Sequence, residues 1–159
     1  MSVRKNLAAV MALSLLAAAC GSDEPDATPI DTADAVLALV ADAGYDITAA
    51  PPTELTLIDI RVGDGDEAQA GSNVSVQYSG VSWSNGQMFD SSWQRNMPFT
   101  FPLGDGRVIA GWDQGVAGMR VGGQRLLILP PEFAYGDFGT GPIGPGETLI
   151  FVVDLLSVG

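Results

Sequence analysis

The chain has 159 residues, 47% of them apolar, which suits one ordinary domain with a real core plus targeting material and excludes disorder throughout. Its formal net charge of −12 argues against nucleic acid, whose phosphates demand a basic face. With no histidine and a single cysteine, it has no internal disulfide, no Ser–His or thiolate–imidazole catalysis and none of the usual zinc sites.

Arg4 and Lys5 precede a thirteen-residue, mainly apolar run from Leu7 to Ala19. That run is short for a bilayer span but suits a signal-peptide core. Small residues lead into Cys20, and the polar stretch "GSDEPDATP" follows. The segment resembles a bacterial lipoprotein signal, with Leu16 and Ala17 shifted by one position from the usual motif. The resemblance implies that residues 1–19 are removed and that Cys20 is lipidated. The chain would then be anchored to the cell membrane facing outside the cytoplasm, with more than one acyl chain for stable anchoring. The alternative is an ordinary secretory signal with a cysteine near its cleavage site.

Residues 20–52 read as an acidic tether. Residues 23–67 hold twelve acids against Arg61 alone, the pattern of a solvated, self-repelling stretch with loops. "GDGDEA" (63–68) lacks the ligand ladder of an EF-hand loop. Within the tether, "TADAVLALVADA" (32–43) is a helix candidate. Asp31 or Thr32 would cap it, Val36, Leu37 and Val40 form its stripe, and Gly44 stops it. It either docks on the domain or serves as a spacer. "AAPP" (49–52) breaks regular structure, which places the domain boundary before residue 53.

From Thr53 onward the pattern is that of strands. Leu55 and Leu57 alternate with threonines in "TELTLIDIRV". Val74, Val76 and Tyr78 share one face of "NVSVQYSGVSW", with Ser75, Gln77 and Ser79 on the other. Asn85-Gly86 signals a tight hairpin, because both positions tolerate positive φ. "MPFTFPL" alternates Phe99 and Phe101, and "QRLLILP" is a further strand. "TLIFVVDLLSV" is apolar on both faces, as a central strand covered on each side would be. The one helical island in this part follows Arg107. There Ile109, Trp112, Val116 and Met119 recur at steps of three, four and three, forming one stripe. The expected fold is therefore α+β, an antiparallel sheet with one short helix laid against it.

Four segments occur in order with short gaps: "VSVQYSG", "GQMFDSSWQRNMPFTFPLG", "VIAGWDQGVAGMRVGGQRLLILPPEFAYG" and "IGPGETLIFVVDLL". Together they resemble the FKBP-type peptidyl-prolyl cis–trans isomerase family, from about Thr53 to the C-terminus. The resemblance implies a five- to six-stranded antiparallel half-barrel wrapped around the short helix, with a prolyl-binding pocket between them. Trp112 of "GW" would floor it, with Gly111 and Gly115 letting backbone and ligand come close. Tyr78 and Phe89 would be walls, and Phe99 and Phe151 would continue the aromatic lining. The resemblance makes Asp90 the acid facing the substrate carbonyl region and Arg95 its partner. Val108 and Ile109 would stand at the helix entrance, with the Ile109 amide as a donor to the ligand. Tyr135 would offer its hydroxyl, and Ile143 would close the rim. Arg107 departs from the family, whose best-known members have an acidic residue there. The loop "GDFGTGPIG" (136–144) is about one residue shorter than usual and lacks a histidine. Read singly, Trp112 or Phe99 is an ordinary core aromatic and Asp90 a turn or strand-end residue.

The implied function is isomerisation of X-Pro bonds in exported proteins, without cofactor, metal or covalent intermediate. Proline-containing polypeptides would be substrates, with macrolide immunosuppressant-type ligands possible, no nucleic acid partner and a monomeric chain. Two alternatives use the same residues. One is a proline-segment-binding chaperone module with little turnover, and the other a surface lipoprotein in which the sheet is only a scaffold.

Overall fold

The long apolar run near the C-terminus becomes the middle of the sheet. In the computed structural model, which describes residues 29–159, β6 (Leu149–Val158) pairs on one side with β5 (Gln124–Leu129) and on the other with β2 (Asn73–Ser82). Leu149, Phe151, Val153 and Leu155 enter one hydrophobic cluster, while Ile150 and Val152 enter another. Period-two alternation sends them to opposite faces, so both faces of this strand are covered. The proposed signal sequence and Cys20 lie outside the described residues.

The sheet is antiparallel throughout and open. Outside β5 lies β1 (Thr56–Arg61), in register at Leu57 and Leu127. At the far edge β2 pairs near its end with β3 (Met88–Ser91) and near its start with β4 (Phe99–Pro102). Between β3 and β4 the chain leaves the sheet in one turn of helix, α2 (Ser92–Arg95), which its pattern does not announce. Ser91 caps that turn by accepting from the Gln94 amide at 3.3 Å, and Asn96 ends it in the left-handed region at φ 49°. The expected Asn-Gly hairpin forms as a wider loop. The Ser82 amide bonds the Gln87 carbonyl at 3.0 Å, leaving residues 83–86 in the turn. Only Gly86 takes positive φ, while Asn85 Oδ1 accepts from the Gln87 amide at 2.8 Å.

The helix on the pocket side, α3 (Ala110–Gly115), is six residues long. Its expected stripe reaches one core, with Trp112, Val116 and Met119 buried and Ile109 packed beside them. Val116 closes the helix and Gly118 (φ +77°) turns the chain, so Met119 joins from the following turn. The glycines have a different role from the one expected. A Cβ on Gly111 would stand 2.1 Å from a Leu129 methyl, and one on Gly115 would stand 2.4 Å from a Leu127 methyl. They face β5 and let helix and sheet approach closely; neither lines the pocket.

On the other face lies α1 (Ala33–Asp42), docked rather than held off as a spacer. Thr32 Oγ1 caps it by accepting from the Ala35 amide at 3.2 Å, and Gly44 (φ +87°) follows its end. Val36 and Val40 are fully buried against Val81, Leu126, Ile128, Ile150 and Val152, and Leu37 is half-buried. Trp83 meets Tyr45 edge-on at 6.5 Å and donates its indole N–H to the Ala49 carbonyl at 3.1 Å. Residues 30–49 are thus strapped across the sheet.

Candidate active site

Four aromatic rings converge on Trp112. Tyr78 stands edge-on at 4.9 Å and Phe151 at 5.3 Å, with Phe101 at 5.6 Å and Phe99 at 6.0 Å. The rings come from β2, β6 and β4, and Phe89 of β3 adds an edge contact to Phe151 at 5.5 Å. Rigid rings meeting edge-to-face cannot fill the space above them as branched aliphatics do. A cavity of about 590 Å³ remains, within the range of small-molecule sites. Gly80 of β2 makes the wall possible, since a Cβ there would lie 2.6 Å from the Phe89 ring and 2.7 Å from that of Phe151.

Ten of the eleven residues expected at the site, all but Arg95, line this cavity. Trp112 is 4% exposed, with its surface at the floor. Tyr78, Phe89, Phe99 and Phe151 line the walls, and Asp90, Val108, Ile109, Tyr135 and Ile143 complete the enclosure. Arg95 stands behind it, where its guanidinium bonds the Asp90 carboxylate, donates to the Tyr78 hydroxyl at 3.0 Å and lies 5.7 Å from the Tyr78 ring centre. The Tyr78 hydroxyl in turn donates to Asp90. Burial, reinforced by the bond to Asp90, pushes the Tyr78 phenol up to about 12, so it remains a donor at neutral pH. Hydrogen bonds to Tyr78 and Asp90 raise Arg95 above its ordinary value.

Buried hydroxyls hold this triad in place. Ser92 Oγ accepts from the Tyr78 amide at 2.8 Å and donates to Gln77 Oε1, while Ser79 Oγ and Ser91 Oγ bond at 2.8 Å. Ser79 also donates to the Ile30 carbonyl, reaching the strap on the other side. The serines of "FDSS" therefore pin α2 to β2, and α2 carries Arg95 to Asp90.

At the mouth, the Ile109 amide makes no backbone hydrogen bond among the described residues, and neither does the Tyr135 hydroxyl find a partner there. Burial, and then the charge of Asp90, raise the Tyr135 phenol. The rim loop is closed by reciprocal Thr140–Ile143 backbone bonds, both 2.9 Å. Several contributors were not assigned to the site from sequence: Phe101 tilted against the indole, Thr140, Gly141 and Pro142 at the rim, and Arg107 as a lining residue. Phe101 could have been found from its alternation with Phe99, but the loop positions carry no comparable signal.

A domain of this shape, an open antiparallel sheet with an aromatic hollow under a short helix, defines a class of protein. Residues 65–156 match the family described as "FKBP-type peptidyl-prolyl cis-trans isomerase". The chain belongs to that family and is an enzyme of that type. It is 59% identical over 110 residues to an FK506-binding protein of Streptomyces anulatus, covering 68% of this chain and 89% of that one. To a probable FK506-binding protein of Corynebacterium glutamicum it is 49% identical over 106 residues, 67% of this chain and 88% of the relative. The crystal structure of AtFKBP13 superposes with a TM-score of 0.63 at 39% identity, covering 69% of this chain and 97% of that one.

Proposed function

We propose that the cavity over Trp112 binds the prolyl ring of an X-Pro segment and lowers the barrier to rotation about its peptide bond. That barrier is about 18–20 kcal/mol because planarity maintains amide resonance. Only before proline are cis and trans close enough in energy for both to be populated, and their exchange takes tens of seconds or longer. No bond breaks, so neither a nucleophile nor an acid–base pair is required.

The twisted transition state has lost resonance, which leaves less negative charge on its carbonyl oxygen and a more pyramidal nitrogen. Water favours the more polar planar amide, whereas an apolar hollow removes that preference and stabilises the twist. The floor of Trp112 and the walls of Phe99, Phe89 and Phe151 supply the apolar surroundings. Asp90 acts electrostatically beside the carbonyl carbon, with Arg95 and Tyr78 fixing its orientation. The Ile109 amide and the Tyr135 hydroxyl, both without protein partners among the described residues, orient the chain around the bond. The single observation that carries this reading is the aromatic cavity with Asp90 at its edge. A proline-peptide isomerisation assay tests it. Trp112→Ala and Asp90→Ala should both slow turnover, and wild-type rates in both variants would remove the assigned roles.

The similarity to FK506-binding proteins supports a macrolide of the FK506 type as a competitive ligand of the same cavity. Turnover separates the enzyme from a binding-only chaperone, since a module that merely holds proline segments would bind the peptide without accelerating exchange. We further propose that the chain acts as a monomer on exported proteins, anchored outside the cytoplasmic membrane through lipidated Cys20. The support is in the sequence, where the only cysteine directly follows the apolar run Leu7–Ala19. Palmitate labelling and detergent-phase partitioning should both be lost in Cys20→Ser.

A further inference from the structure

Two charged residues line the cavity, Asp90 and Arg107, and they differ in how they are compensated. Asp90 is held by Arg95 and the Tyr78 hydroxyl. Arg107 has neither an ion pair nor a hydrogen bond among the described residues, although four of the five arginines described there pair with carboxylates: Arg61 with Asp154, Arg95 with Asp90, Arg120 with Glu67 and Arg125 with Asp59. In a chain with nineteen acidic residues, an arginine left without one at a binding cavity is a site for a carboxylate from outside.

The local structure keeps Arg107 at the mouth. The carboxylate of α3, Asp113, accepts from the amides of Gly104 and Gly106 at 2.8 and 2.9 Å. Those two bonds pin the loop that precedes Val108 and occupy both oxygens of the one α3 acid. Of the two charged residues that line the cavity, Arg107 is thus the one without an ion-pair partner among the described residues, even though the protein as a whole is strongly negative. Negative charge more than about 8–10 Å away is largely screened at physiological salt, whereas a carboxylate brought into the cavity meets the guanidinium at contact.

We infer that Arg107 makes this enzyme selective for X-Pro segments with an acidic residue flanking the proline. The inference rests on the isomerase site proposed above and names its substrate class. A guanidinium presents a fork of donors that matches a carboxylate, and beside an apolar wall the pair is worth more than in open water.

The test compares matched peptides that carry Glu or Gln immediately before, or immediately after, the proline, with Leu-Pro as reference. Isomerisation by the full-length chain is followed by NMR exchange, which needs no coupling protease, and peptide affinity by intrinsic fluorescence. At one of the two positions kcat/KM should favour Glu over Gln about three- to fivefold, equivalent to about 0.7–1 kcal/mol. Arg107→Lys should retain a preference for Glu, Arg107→Gln should bring the ratio to about one, and Arg107→Glu should reverse it, each normalised to that variant's Leu-Pro rate. A Glu-to-Gln ratio of one in the wild type at both positions, or a ratio that survives Arg107→Gln, overturns the inference while Leu-Pro catalysis stands. If the folded chain fails to accelerate Leu-Pro at all, the isomerase reading falls, and the peptide affinities still decide the charge preference.

Discussion

The two faces of one sheet have solved the burial of apolar surface in opposite ways. Toward α1, branched aliphatics from helix and strands interdigitate, and Val36, Val40, Val81, Ile128, Ile150 and Val152 are almost without exposed surface. Toward α3, aromatic rings from β2, β3, β4 and β6 stand edge-to-face around Trp112 and leave a hollow. One face is filled, and the other leaves the cavity proposed to bind. A strand such as β6, alternating Phe151 and Val153 with Ile150 and Val152, serves both at once. The pocket is therefore built largely from the same core residues that fold the domain, with the loop residues Thr140–Ile143 at its rim.

Removing the floor should break the comparison most strongly. Trp112→Ala is expected to cost about 3–5 kcal/mol of stability, because it deletes the ring on which four others pack. Isomerase activity should fall with it at temperatures where the variant is still folded, as urea unfolding and the peptide assay together would show. On the filled face, Val36→Ala with Val40→Ala should cost about 3–4 kcal/mol through lost burial and cavity formation. Turnover per folded molecule should not change, and a fall in it would mean that the two faces are coupled.

Asp154 probes the filled face differently. It lies two positions beyond Val152 on the same side of β6, 2% exposed, with Oδ1 accepting from Gln124 at 2.9 Å and lying 3.4 Å from Arg61. Oδ2 has no partner. Burial raises its carboxyl to about 6, against the ordinary 3.8. A raised acid is protonated in the fold before it is in the unfolded chain. The resulting gain in stability is fully present below about pH 4 and is lost as pH rises through 6. Asp154→Asn should stabilise the protein at pH 7 by about 2 kcal/mol and flatten this part of its pH profile in thermal or urea unfolding. A variant no more stable than wild type at pH 7 would show that Arg61 compensates the charge.

The smallest expected effect belongs to Asp90→Ala. Its ion pair with Arg95 is well exposed, so stability should change by less than about 1 kcal/mol. Its electrostatic role predicts a fall in kcat/KM of about tenfold, or about 1.4 kcal/mol of transition-state stabilisation. A large loss of stability with little change in rate would instead make Asp90 a structural residue.

Most strands could be read from period-two alternation, and β6 from its unbroken apolar run. The helix at Trp112 was legible from the 3-4-3 spacing, although Gly118 turns Met119 out of the helix proper. The Asn85-Gly86 loop came out wider than its dipeptide suggests, because a turn's length is fixed by the register of the flanking strands. The tie between Asp90 and Arg95, five residues apart, was implied only by resemblance. Its physical cause, buried Ser92 and Ser91 pinning α2 to β2, involves polar residues whose burial no local pattern announces.

From the sequence alone came the α+β class, the strand faces and the helix at Trp112, since periodicity is a property of a local window, while the residues of a prolyl site were implied by the resemblance its motifs carry. Only the tertiary structure decided that α1 covers the sheet, that Gly111 and Gly115 serve helix–sheet contact, that the aromatic rings leave a space unfilled, and that Arg107 borders it with no carboxylate partner among the described residues. Unfilled volume and unpaired charge are sums over segments distant in the chain, and they acquire values only when those segments meet.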